Sequence, residues 1–397
     1  MIPFVRAAYN ASFSQEKYDA FLADLNAAFN KPILFRVAET PIFIPKELKH
    51  QMFQACNDVI DVICRPDFKE LTKNAVPKDL VVPNEDKHTL FLAIDMGICY
   101  DENNKLTPQI VEIQGFPSLY GYENFIGQKY RQYFSVPEQF TTHFSNFDYE
   151  TYPKFLKKVL LGDCEAENVI LLEVEPEKQG TNIDFYVTEH YTGIKPVCIT
   201  KVMREGRKLF YMNNGEKTPI YRIYNRVIFD EFKQRTDLNC QFNLTEDVDI
   251  QWVGHPNWFF KISKFTLPFI KSKYVPETWF LDQIPEIPKD LENYVLKPLF
   301  SFAGAGVVFN VTPQDIENVV DKSNYILQRK MRYAPELISP DGNVKAEVRM
   351  LFLWQENEER PTLVINLSRL SKGDLIGVKF NKNKTWVGGS IGYFEND

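Results

Sequence analysis

The chain has 397 residues, of which 44% are hydrophobic and 25% charged, with a formal net charge of −7. These are the proportions of a globular chain too long for one small core. An acidic charge spread along the sequence argues against a nucleic-acid surface, no apolar stretch is long enough to span a bilayer, and the first residues lack the basic-then-apolar pattern of a secretory leader. The expectation is a cytoplasmic protein with neither nucleic acid nor membrane as partner. Its six cysteines (Cys56, Cys64, Cys99, Cys164, Cys198, Cys240) include no C-x-x-C pair and read as reduced, mostly buried residues.

In chain order, Ser14 is a candidate N-cap for a helix over 14–30. From Pro45 to Cys64 the residues Leu48, Met52, Cys56, Val59, Ile60 and Ile63 form one helical stripe. The period then shortens. Residues 89–95 and 109–113 read as strands around turn residues 101–106, and a helix is expected from Tyr122 to Phe134. Residues 147–152 read as a linker. Segments 169–174, 184–188 and 196–200 are short and β-like or mixed, as in an α/β layer. Strands at 208–211 and 219–223 flank the Asn213-Asn-Gly215 turn. Strand-like runs follow at 294–296, 305–309, 325–328, 346–354, 362–367 and 386–393, with a short helix opening at Thr312-Pro313. The organisation expected is a mainly helical segment over 1–87, a strand pair over 88–150, an α/β unit over 151–255 and a further unit over 256–397.

The chemistry-bearing pieces are ordered along this chain. Glu112 and Gln114 lie two apart on a strand, so both project from one face and offer a pair of hard oxygens beside Asp95. Trp252 to Phe265 mixes aromatics with His255, Lys261 and Lys264. His255 is the candidate functional histidine there, although a structural role is the plainer reading. The run Tyr294-Val-Leu-Lys297-Pro298 ends a strand on an ammonium. Ser301, Gly304 and Gly306 then let backbone N–H groups approach an anion closely. No Gly-Lys-Ser/Thr closes this loop, so it is not a P-loop. Gln328, Lys330 and Met331 lie where an apolar strand turns polar, as a purine-binding edge requires and as any edge strand also does. Glu347 and Arg349 alternate with apolar neighbours on one strand face, where a cross-face salt bridge is an equal alternative. Arg369 is suited to bidentate carboxylate recognition, and Gly388-Gly389 could form a second backbone nest or an ordinary turn.

This order resembles the ATP-grasp superfamily, and more closely its circularly permuted branch, which holds eukaryotic-type glutathione synthetase and glutathionylspermidine synthase. The resemblance implies an α+β fold with a nucleotide held between two subdomains. It implies ATP and Mg²⁺ as cofactors, with Glu112, Gln114 and Glu347 as metal ligands. Lys264 and Lys297 would be the nucleotide lysines, Ser301 to Gly306 the lid, and Gln328 to Met331 the adenine hinge. Asp95, Ser118, Arg369, Gly388 and Gly389 would lie on the substrate side, with Lys297, Arg349 and Arg369 the catalytic cations. The implied reaction is amide formation from a small-molecule carboxylate and an amine through an acyl phosphate. A kinase without an amine acceptor and a non-catalytic nucleotide binder are the alternatives. Gln114 stands where the family carries Asn, and the lid has alanines where the family has more glycines and a charge.

Overall fold

The computed structural model describes residues 2–300, 306–373, 376 and 381–397. Its centre is an antiparallel sheet whose strands run, in spatial order, Gly388–Ser390, Thr362–Ser371, Gly342–Leu353, Phe91–Tyr100 and Leu106–Gln114, with Leu337–Ser339 added to the start of Gly342–Leu353. The Phe91–Cys99 stretch is buried along its length. Ile94, Met96, Ile113, Val348 and Met350 pack one face of this sheet, and the alternation of strand side chains sends Asp95, Glu112, Glu347 and Arg349 to the other.

A second sheet is wholly parallel, in the order Gln251–Val253, Arg222–Asn225, Val169–Glu173 and Lys195–Cys198. Its central strand Val169–Glu173 is buried throughout, as strands covered on both faces must be. A third, antiparallel sheet of Thr278–Phe280, Tyr325–Arg329 and Tyr294–Pro298 carries its own core of Tyr294, Leu296, Leu327, Leu281, Leu291 and Ile316 on one face. Its other face contributes Ile326 to the main core and carries Lys297.

Most predicted elements form, and the differences have local causes. The helix Gln15–Ala27 is capped by the Ser14 side chain, and Lys46–Ile63 buries its whole predicted stripe. Asn214 and Gly215 both take positive φ, the twist a two-residue hairpin turn needs. The helix Pro313–Glu317 has a full capping box between Thr312 and Asp315. Residues 147–152 are not a linker: the Asp148 carboxylate accepts from the Glu150 and Thr151 amides and starts the helix Thr151–Leu161. Residues 184–188 are not β-like either. They lie in the helix Ile183–Thr192, which buries Ile183, Asp184, Phe185, Val187 and Thr188 and so shows no one-sided period.

The chain's two ends are joined. Ile42–Ile44 pairs in parallel with Gly392–Glu395, and the backbones of Arg36 and Ala38 bond to Gly389. Gly388 sits at φ 128°, and a Cβ there would lie 2.3 Å from the Arg36 carbonyl oxygen. Gly388→Ala is therefore expected to lower stability by about 1–3 kcal/mol, read as a lower midpoint in urea denaturation; an unchanged midpoint would show that this seam contributes little.

Candidate active site

Asp95 is fully buried in the middle of the central sheet. Strand register sets Arg349 opposite it on one side and Glu112 on the other. A bulge lets Asp95 face Glu112 while the next residue, Met96, faces Ile110, so Val111 is the extra residue. This irregularity puts the Glu112 carboxylate on the same face as Asp95. One row further along, Gly97, Glu347, Arg369 and Gly389 are successive cross-strand neighbours.

The side chains close into a charged ladder. Arg349 grips Asp95 with two parallel bonds, Nε to Oδ1 at 2.5 Å and NH2 to Oδ2 at 2.7 Å. Arg369 donates to Asp95 Oδ2 at 2.6 Å and lies 3.0 Å from Glu347 Oε2. The Tyr333 hydroxyl donates to Glu347 Oε1. Arg349 also reaches within 3.8 Å of Glu112 Oε1, which accepts from the Gln114 amide at 2.7 Å. Burial works against charge on Asp95, but Arg349 and Arg369 outweigh it and hold the carboxyl below its ordinary pKa. Burial pushes the Glu347 carboxyl the other way, above its ordinary pKa, against the opposing pull of Arg369.

The two lysines face this ladder from the smaller elements. Lys264 opens the short 3₁₀ helix Lys264–Phe269, which follows Ser263. Lys297 stands on the Tyr294–Pro298 strand. Lys297 donates to Gln328 Oε1 at 2.6 Å, and the Gln328 amide donates to Thr278 at 3.0 Å. Burial lowers the Lys297 pKa to about 8; Glu112 and Glu347 draw it up and Lys264 pushes it down. Lys264 is lowered by the same desolvation, again with Glu112 opposing.

The structure thus brings together Asp95, Glu112, Gln114, Lys264, Lys297, Gln328, Glu347, Arg349 and Arg369. Several placements differ from expectation. Asp95 has both oxygens committed to arginines and offers none to a ligand. Gln328 is an internal partner of Lys297, and Lys330 turns away to the Glu292 carbonyl at 2.6 Å. Met331 and Ser118 are half-buried, Ser118 in the loop before the helix Tyr120–Tyr133. Gly388-Gly389 is a strand edge whose Gly389 amide is used by Arg36, not an open nest. Ser301 and Gly304 lie outside the described residues, while Gly306 takes φ 72° just beyond them. His255 is structural: it is buried, with Nε2 2.9 Å from the Pro83 carbonyl. Lys261 is likewise occupied, by Glu85 at 2.6 Å.

Sequence reasoning missed Tyr333. The signal was Gly97, a glycine inside a strand, which marks close approach by another group; a Cβ there would lie 2.6 Å from the Tyr333 ring.

No family model and no curated protein matches the chain. Among solved structures it is similar to a glutathione synthetase-like effector from Globodera pallida in its apo form, at 14% identity, TM-score 0.60 and 96% coverage of each chain. That likeness is one of fold, and the fold is the α+β ATP-grasp-like arrangement that the order of motifs implied. Among the described residues, no helix is long and apolar enough to cross a membrane.

The ladder predicts its own weak point. Asp95→Asn leaves two guanidiniums against a neutral amide in a buried place, and is expected to cost about 3–5 kcal/mol. Chemical denaturation checks this; a loss below about 1 kcal/mol would place Asp95 in the range of an exposed pair.

Proposed function

We propose that this chain is an ATP-dependent carboxylate–amine ligase, joining an amino-acid or peptide carboxylate to an amine through an acyl phosphate. The observation that carries this reading is the meeting of two buried lysines, Lys264 and Lys297, with the Asp95–Glu112–Glu347–Arg349–Arg369 ladder. Lys297 is a buried ammonium whose hydrogen-bond partner is the neutral Gln328 amide, and a buried charge of that kind is costly unless an anion comes to it. A triphosphate is such an anion, and phosphoryl transfer is a reaction that positioning and charge alone can accelerate.

Each residue then has a task. Lys264 and Lys297 neutralise phosphate oxygens, with Gln328 aiming the Lys297 ammonium. Arg369 is the carboxylate-facing cation: its side chain is 34% exposed, and its Nε is buried without a partner. Arg349 is locked on Asp95 and supplies fixed positive charge beside Glu112. Magnesium, if bound, would supply charge neutralisation to the phosphates. Glu112 fits that ion, because its side chain is 29% exposed and Gln114, an oxygen donor, lies beside it. Glu347 does not fit, since both of its oxygens have donors. On the same reading the protein works in the ATP-containing cytoplasm, with a small-molecule carboxylate and an amine as its substrates.

A second reading, nucleotide binding without turnover, is favoured by one observation: Asp95 and Glu347 already neutralise both arginines. ADP release from Mg-ATP, screened over amino acids, small peptides and polyamines, separates the two. Release only with a carboxylate and an amine supports the ligase. Release with a carboxylate alone indicates a kinase, and no release with any combination leaves the binder.

Mg-ATP at about 100-fold excess over Kd is expected to stabilise the protein by about 2.7 kcal/mol; a melt unmoved by millimolar Mg-ATP sinks the nucleotide reading. The pH dependence has a definite sign. Free Lys297 loses its proton as pH rises through about 8, whereas bound phosphate favours the charged form and raises its pKa. Binding therefore takes up a proton at and above that pH, and affinity falls as pH rises through it. Calorimetry in buffers of different ionisation enthalpy measures the uptake, which Lys297→Met should abolish.

A further inference from the structure

We infer that Glu347 is the anchor of Arg369, latched in place by Tyr333, and that magnesium dependence rests on Glu112 with Gln114. The inference builds on the nucleotide reading above and narrows it.

Glu347 is buried, and its two carboxylate oxygens face two different donors, the Tyr333 hydroxyl and the Arg369 guanidinium. A cation brought to that carboxylate would have to displace a phenol and then sit beside a guanidinium. Like charge and lost hydrogen bonds both oppose it. Glu112 differs in exposure and in partners. It is partly exposed, its Oε1 accepts from the neutral Gln114 amide at 2.7 Å while the Arg349 guanidinium stands farther off at 3.8 Å, and Lys264 and Lys297 bring phosphate-binding charge to its side of the site. Among the described residues no three carboxylate, histidine or cysteine side chains converge as a metal cluster.

The latch is built into the fold. Beyond Gly97 the Phe91–Tyr100 strand loses Gly342–Leu353 as its neighbour. The backbone of Arg332–Ala334 takes over, with Tyr100 N–H donating to Arg332 and Ala334 N–H to Ile98. That pairing lays the Tyr333 ring across Gly97, where no side chain could be accommodated. The same segment follows directly from the Tyr325–Arg329 strand, whose Gln328 holds Lys297. Tyr333 is therefore a positioning residue. It fixes Glu347, and through Glu347 the outer side of Arg369, from the strand that also sets the nucleotide lysine.

The test is the magnesium concentration that half-saturates ADP binding, measured by calorimetry on the full chain. Glu112→Gln is expected to raise it about tenfold or more, and Glu347→Gln and Tyr333→Phe to leave it within about twofold of wild type. In ADP release with the amino acid or peptide chosen by the screen, the latter two variants should raise the KM for that carboxylate more than they lower kcat. An equal rise in magnesium requirement for Glu347→Gln, or a wild-type requirement in Glu112→Gln, would overturn the assignment. Where Glu347→Gln does not fold, Tyr333→Phe decides: it releases one oxygen, so a true metal ligand would then bind magnesium more tightly and lower the requirement. Wild-type protein that binds no ADP at any magnesium concentration would instead overturn the nucleotide reading, and this assignment with it.

Discussion

A single buried carboxylate organises the centre of this molecule. Asp95 has no access to water, and an unpaired charge there would be expensive. Two guanidiniums from the neighbouring strands Gly342–Leu353 and Thr362–Ser371 compensate it. The contact therefore also fixes register. Sliding either strand by one residue would turn Arg349 or Arg369 into the apolar face that holds Ile94, Met96 and Met350. The value of such a cluster lies less in net stability than in excluding other alignments. Glu112 and Glu347 follow from the same register: one is delivered by the Val111 bulge, the other by its place two residues before Arg349 on the same strand.

Lys297 belongs to a differently packed body, whereas the helix of Lys264 packs Phe265 and Leu267 into the main core. The Tyr294–Pro298 strand buries Tyr294 and Leu296 in a small separate core and shows Val295 and Lys297 to the other side. Lys297 thus owes its burial to the approach of that body to the central sheet, not to the sheet that carries it. That burial is what lowers its pKa. Gln328, one strand over, accepts a hydrogen bond from the ammonium.

What could be read from the sequence divides along physical lines. Local signals were legible: the Lys46–Ile63 stripe, the Ser14 cap, the Asn214-Gly215 turn and the Thr312 capping box each depend on residues within one turn or hairpin. The order of acid, lysine, acid and arginine was legible too, and the fold it implied is the fold present. Three kinds of information were not. The helix Ile183–Thr192 is buried nearly all round, so its residues carried no period. The commitments of Asp95, Glu347 and Gln328 depend on which strands become neighbours across as many as 274 residues. Gly388-Gly389 looked like a loop because two glycines do, yet the tight approach of Arg36, a residue from the other end of the chain, is what excludes a side chain there. Gly97 shows the same lesson in reverse, since its missing Cβ makes room for a ring 236 positions later in the chain, at Tyr333.

The pre-paired arginines set a condition on any anion that enters. In the proposed reaction a substrate carboxylate meets Arg369 with its charge already shared between Asp95 and Glu347, so a singly charged ligand gains mainly the unpartnered Nε and the exposed edge. Binding of the ground state is correspondingly modest. Charge shifts during transfer from the attacking carboxylate toward the phosphoryl oxygens and the departing ADP oxygen, where Lys264 and Lys297 would meet it in a space that water screens little. The arrangement would thus favour the redistributed charge of the transition state over the substrates that precede it. An interaction stronger in the transition state than in the ground state is what accelerates a chemical step, and a ladder of internally satisfied ions reaches that difference without presenting naked cations to the resting site.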